Sequence, residues 1–189
     1  MPFPSATSRK AIKAAKIESV FEEYYSYVED IISHPEVQRL AQYKQHGDSD
    51  RLQHSMSVSF MGFLLARKLR WDAKAVARGG LLHDLFFYYS QDKVFQGLHF
   101  LVHPKVALAN SEALFNLTDK ERDIISCHMF PVCDRFPRYK ESHIIQLVDK
   151  YCAMNEAFAY ILQKGFKRLN ILPVRERKYA YLRVLPKSV

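Results

Sequence analysis

A histidine-aspartate pair, His83-Asp84, lies inside the apolar run Gly80-Leu81-Leu82-His83-Asp84-Leu85-Phe86-Phe87. Burying an ionised carboxylate beside an imidazole in such surroundings is costly unless something offsets the charge. A divalent cation does this economically, because imidazole and carboxylate are both good ligands for it. Three further polar residues recur in equally apolar settings. They are His54, His128 within Ile124-Ile125-Ser126-Cys127-His128-Met129-Phe130, and Asp149 at the end of Ile144-Ile145-Gln146-Leu147-Val148-Asp149. One such histidine is usually a satisfied core residue. Four sites of this kind on one chain point to metal binding.

The elements that must position these residues read as helices joined by short loops. Apolar residues at helical spacing (Ile12, Ala15, Val20, Tyr24, Tyr27) predict a first helix over 8–32. Pro35 restarts the chain and Gly47 marks the expected end of a short helix. Asp48-Ser49-Asp50 offers caps for a helix over 51–69, with His54 in its first turns. Asp72 caps the next helix, expected to carry His83 and Asp84 and to end near Tyr89. Residues 90–102 read as an irregular loop, and His103-Pro104 as the start of a helix to about 116. Thr118-Asp119-Lys120-Glu121 is a capping box, which predicts a helix from Asp119 to about Met129. Residues 130–138 hold two prolines and form a loop. A long helix carrying Asp149 follows from Tyr139, with its stop expected at Gly165. No strand and no internal repeat is evident, so the fold class is all-α.

In chain order the polar set is His54, His83-Asp84, His103, His128, Asp149. This order resembles the HD-domain superfamily of metal-dependent phosphohydrolases. The local contexts Arg51-Leu52-Gln53-His54-Ser55, Gly79-Gly80-Leu81-Leu82-His83-Asp84 and Leu147-Val148-Asp149-Lys150-Tyr151 strengthen the likeness, which covers residues 50–157. The resemblance implies a compact multi-helix bundle with its metal site between helices. It implies one divalent ion held by His54, His83, Asp84 and Asp149, and a second held with His103 and His128, with Asp84 bridging. The implied reaction is hydrolysis of a phosphate ester or anhydride, in a nucleotide, by a metal-bound hydroxide and without a covalent intermediate; His83 and Asp84 are the implied catalytic pair. Two ions roughly 3.5–4 Å apart would lower the pKa of a bridging water and stabilise charge on a phosphoryl group. Iron, manganese or zinc suits such a ligand set best, with magnesium admissible at the first site. The branch splitting symmetrical dinucleoside tetraphosphates shares the six-ligand order, which makes that the first substrate to expect. Nucleoside monophosphates and deoxynucleoside triphosphates belong to other branches. The chain has no Gly-Tyr-Pro signature of the cyclic-dinucleotide branch.

Plainer roles compete at some of these positions. His103 can be an N-cap before Pro104, His128 a partner of a helix C-terminus, and Asp149 an aspartate in the N-terminal half of its helix paired with a nearby Arg or Lys. If His103 and His128 took those roles, a one-metal hydrolase would remain. Further basic residues are candidates for phosphate: Arg51 one turn before His54, Lys105 after His103-Pro104, Lys150 beside Asp149, and Arg135 and Arg138 on the loop between ligand-bearing helices. His34, His46, His99 and His143 fit no ligand position.

Composition sets the remaining bounds. The 189 residues, 48% hydrophobic and 13% aromatic, suffice for one folded domain. We divide it into N-terminal helices over 1–47, a phosphohydrolase core over 48–165 and a basic tail over 166–189. Three cysteines without a Cys-x-x-Cys pair read as reduced thiols of a cytoplasmic protein. No apolar stretch reaches the roughly 18 residues needed to span a bilayer, and the basic start reads as a solvated helix rather than a presequence. Residues 164–189 hold eight basic side chains against one acidic, so +7 of the net +8 resides there. That tail can touch nucleic acid, but it carries no recognisable reading motif. The partner expected first is therefore a small-molecule nucleotide, with no membrane and the oligomeric state open. Two rivals stand beside the hydrolase: a nucleotide sensor of negligible turnover, and a nucleic-acid-associated protein acting through its tail.

Overall fold

A computed structural model describes residues 6–45, 49–89 and 98–168. The basic tail lies outside them apart from residues 166–168, and so does Gly47. The described chain forms seven α-helices: α1 (Ala6–Ile32), α2 (Pro35–Gln38), α3 (Arg51–Leu69), α4 (Ala73–Leu82), α5 (His99–Leu114), α6 (Asp119–Cys127) and α7 (Lys140–Arg168). A 3-10 turn (Arg39–Gln42) follows α2. No strand occurs among the described residues, only an isolated bridge between Lys44 and Asp50. The fold is all-α, as expected. No helix among the described residues is long and apolar enough to cross a membrane.

Capping side chains set the helix starts around the site. Asp50 accepts from the Gln53 N–H at 2.9 Å to open α3, and Asp72 accepts from the Ala75 N–H at 3.0 Å to open α4. Both halves of the capping box between Thr118 and Glu121 are present at the start of α6. The innermost helix is α4, which packs against α1, α3, α5, α6 and α7. Its sequence explains that position, because Ala75, Val76, Ala77, Gly79, Gly80, Leu81 and Leu82 are all buried. A Cβ on Gly80 would stand 2.8 Å from Ile145 Cδ1 and 3.0 Å from Ser59 Cα, so only glycine lets α3, α4 and α7 approach this closely.

Two apolar clusters frame the site. One gathers Val28 and Ile31 of α1, Leu52 and Phe63 of α3, Leu81 and Leu82 of α4, and Ile125 of α6. The other gathers Val58, Val76, Ile124, Ile144, Ile145 and Val148, joining α3, α4, α6 and α7. Full burial of each such side chain contributes about 1.5–3 kcal/mol. A polar thread ties three helices inside this core: the Tyr24 hydroxyl donates to Ser59 at 2.9 Å, and Ser59 donates to the Ala77 carbonyl at 2.6 Å. Cys127, Cys133 and Cys152 are free and buried.

Four helix ends differ from the sequence expectation. The helix α4 stops at Leu82, not near Tyr89, so His83 is its C-cap and Asp84 lies in the following turn. Beyond that end Arg51 of α3 holds the chain, donating to the carbonyls of Phe86 at 2.7 Å and Tyr88 at 3.2 Å. The helix α5 begins at His99, not His103, with Pro104 inside it. Proline there lacks the N–H that would bond the Phe100 carbonyl, so α5 forms at the cost of one backbone bond. The short helix gives way to the 3-10 turn by Arg39. The helix α7 runs through Gly165 to Arg168.

Candidate metal centre

The six residues singled out by type and setting converge, although they come from α3, the end of α4, α5, the end of α6 and α7. His54 points inward from the first turn of α3. Its Nε2 lies 3.0 Å from Asp149 Oδ1, and its Nδ1 lies 3.1 Å from Glu156 Oε2. Burial disfavours its charged form, but Asp149 and Glu156 outweigh that and raise its pKa to about 10. Burial also opposes ionisation of Asp149, yet His54 and His83 hold its carboxyl well below the usual range.

His83 is fully buried and sits over the end of α4. Its Nδ1 faces the Gly80 carbonyl at 2.8 Å; a carbonyl only accepts, so Nδ1 is assigned the proton. The opposite nitrogen, Nε2, is a buried atom without a hydrogen-bond partner, 3.6 Å from both Asp84 Oδ2 and Asp149 Oδ1. Asp84 is divided in the same way. Its Oδ2 accepts from Gln45 Nε2 at 2.6 Å, while Oδ1 is buried without a hydrogen-bond partner. That orphan oxygen lies 3.4 Å from His103 Nε2 and 3.6 Å from His128 Nε2. Burial pushes the Asp84 pKa up, but His83, His103 and His128 pull it below the usual carboxylate range.

His103 and His128 face each other with their Nε2 atoms 2.8 Å apart. Their Nδ1 atoms face the His99 and Ile125 carbonyls at 2.9 and 2.8 Å, which assigns a proton to each. Burial, with His103 and His83 nearby, lowers the His128 pKa to about 3. His128 is therefore a neutral imidazole whose Nε2 turns a lone pair toward its neighbour.

These contacts resolve into two clusters, each with its donor atoms within 4.8 Å of one another: His54, His83 and Asp149, and then Asp84, His103 and His128. The donors fit divalent cations. Nitrogen and oxygen ligands stand about 2.0–2.2 Å from a bound transition metal, which separates them from each other by about the distances seen here. The orphaned His83 Nε2 and Asp84 Oδ1, and the facing histidine pair, are the atoms that such ions would satisfy.

Around this inner set stands a shell that sequence reasoning passed over. Glu156 is buried and braces His54 from behind, with Ser49 donating to it at 2.9 Å. A carboxylate behind a ligating histidine fixes its ring and raises its basicity. The signal was available: Glu156 lies seven residues beyond Asp149, two turns along the same face of α7. Gln45 had no such signal, because it lies in an irregular segment. His99, set aside earlier, stacks on His103 with ring centroids 4.6 Å apart and supplies the carbonyl that orients it.

Four of the five basic candidates have other partners. Arg51 is buried, its guanidinium 3.6 Å over the Phe86 ring. Besides the two carbonyls it holds, its Nε donates to Gln45 Oε1 at 2.9 Å, so it is a brace and not an arm reaching for phosphate. Lys105 pairs with Asp134 at 2.6 Å on the surface. Lys150 donates to the Phe130 and Gln146 carbonyls. Arg135 lines a cleft of about 210 Å³ with Lys105, Pro104 and Ser126, and Arg138 is exposed, 3.8 Å from Asp123. The loop that carries them is anchored by Asp123, which accepts from the Arg138 and Tyr139 N–H groups and from the Ser142 hydroxyl.

Neither a curated protein nor a solved structure matches this chain. A family model does: the HD domain matches residues 51–154, more than half of the chain and the span that holds all six converging residues. The chain belongs to the HD-domain family, whose members are generally metal-dependent phosphohydrolases.

Proposed function

We propose that this chain is a two-metal phosphohydrolase acting on a phosphate ester or anhydride of a nucleotide, with a symmetrical dinucleoside tetraphosphate the first substrate to test. The observation that carries this reading is the convergence of buried ligand atoms: His83 Nε2 and Asp84 Oδ1, each buried without a hydrogen-bond partner, and the Nε2 atoms of His103 and His128 facing each other at 2.8 Å. His54, His83 and Asp149 would hold one ion and His103 and His128 the other, with Asp84 offering one oxygen to each. When bound, such a pair supplies an activated water and neutralises charge on the phosphoryl group. The protein's own part is positioning. Gln45 holds Asp84 by one oxygen, Glu156 fixes the His54 ring, and three backbone carbonyls set the faces of His83, His103 and His128.

The test is elemental analysis of protein purified without a histidine tag or chelator, beside Asp84→Ala, followed by phosphate-release assays with manganese or iron. About two transition-metal equivalents in the native chain, lost in Asp84→Ala together with at least a hundredfold of turnover, is the expected result. Absence of metal after reconstitution with manganese, iron, zinc and magnesium would overturn the reading. Full metal loading with tight nucleotide binding and no turnover would replace the enzyme with a sensor.

A further inference from the structure

The helix α7 has two apolar faces, and among the described residues only one of them is packed. Ile144, Ile145, Val148 and Cys152 turn inward, in line with Asp149 and Glu156. On another face Leu147, Tyr151, Met154, Phe158 and Ile161 are between 53 and 71% exposed. Their spacing is four, three, four, three, the alternation of a coiled-coil seam rather than of a helix lying on a globular core. None of residues 157–161 is buried, so Phe158 and Ile161 stand exposed on the helix beyond Glu156.

The size and chemistry of this stripe select its partner. Five large side chains at these exposures present roughly 600 Å², the upper limit of what monomers usually leave bare. Two copies brought face to face would bury about 1,200 Å², the threshold of a specific protein interface. The seam positions carry no charge, and the flanking Lys150 is directed to the Phe130 and Gln146 carbonyls. A stripe with heptad spacing is self-complementary under a twofold axis. We infer that the chain forms a symmetric dimer in solution, with the outward stripe of α7 packed against the same stripe of a second copy. The metal residues lie on or beside the inward face of the same helix, so the two sites of the dimer stay separate and complete.

Sedimentation of the full chain at tens of micromolar tests this. A mass near twice 22.1 kDa is expected, unchanged by removing or adding metal. Met154→Glu and Phe158→Glu, each at an exposed position, are expected to give monomers whose helicity and metal content match those of the native protein. A native chain that stays monomeric, or a dimer that survives both substitutions, would overturn the inference. An independent readout that needs no variant is oxidation of Met154, which a dimer protects more as protein concentration rises. Protection that is independent of concentration would assign the cover to the chain's own remaining residues and would equally overturn it.

Discussion

At the scale of single residues, the centre depends on side chains that bind nothing themselves but decide which atom of a neighbour is presented. Glu156 holds His54 through Nδ1 and so leaves Nε2 toward Asp149; Arg51 orients Gln45, whose amide then occupies one oxygen of Asp84. Glu156→Gln keeps the shape but removes the charge behind His54. It is expected to weaken the tighter metal step by about 10–100-fold, read by calorimetric titration, and to lower the melting temperature of the metal-free chain, where Glu156 stabilises the charged His54 ring. Unchanged affinity would reduce Glu156 to a packing residue. Residue type in an apolar context was enough to pick out five of the six inner residues, because charge in such surroundings demands an explanation; His103, before Pro104 and Lys105, entered only through the order of the set. Arg51 misled for the opposite reason: a cation near the site suggests a phosphate partner, yet here ring stacking and two carbonyls claim it.

Among the elements, legibility divides between helix starts and helix ends. Starts are local, so Asp50, Asp72 and Thr118 announce them in sequence. The end of α4 carries no such mark, and the turn beyond it is held from α3 by Arg51. Pro104 looked like a first residue because that is where proline fits best, but α5 gains a further turn ahead of it. The contact between α3 and α4 at Gly80 joins this level to the site, because the Gly80 carbonyl also orients His83. Gly80→Ala is expected to cost about 1–3 kcal/mol of stability in urea titrations. It should also reduce metal content, whereas alanine at an exposed helical position would leave both unchanged. Wild-type stability in this variant would show that Ile145 yields to the added methyl group.

For the molecule as a whole, one ion network fastens α4, α6 and α7 at the beginning of each. Lys120 reaches Asp72 at 3.0 Å and Glu141 at 3.2 Å, and Glu141 also accepts from the Asp72 N–H. Burial raises both carboxyl pKa values, but backbone N–H groups and Lys120 hold each below its ordinary position. A depressed native pKa stabilises the fold above the unfolded value and is lost as pH falls. Stability is therefore expected to decline as pH drops through 4.5 and then 3.8, the ordinary glutamate and aspartate values. Glu141→Gln should lower stability by about 1 kcal/mol at neutral pH and flatten that acid decline. Unfolding curves across pH would check both, and an unaltered acid limb would remove the network from the account. The distance along the chain between His54 and Asp149, 95 residues, has a different kind of consequence. A cation shared by these two closes a loop as long as half the protein, which is the task a disulfide performs in other folds. With its three thiols free and buried, this chain would have instead a reversible clasp whose strength is set by the supply of metal. Chelation would then loosen the attachment of α7 before it unravels the α3–α4 pair.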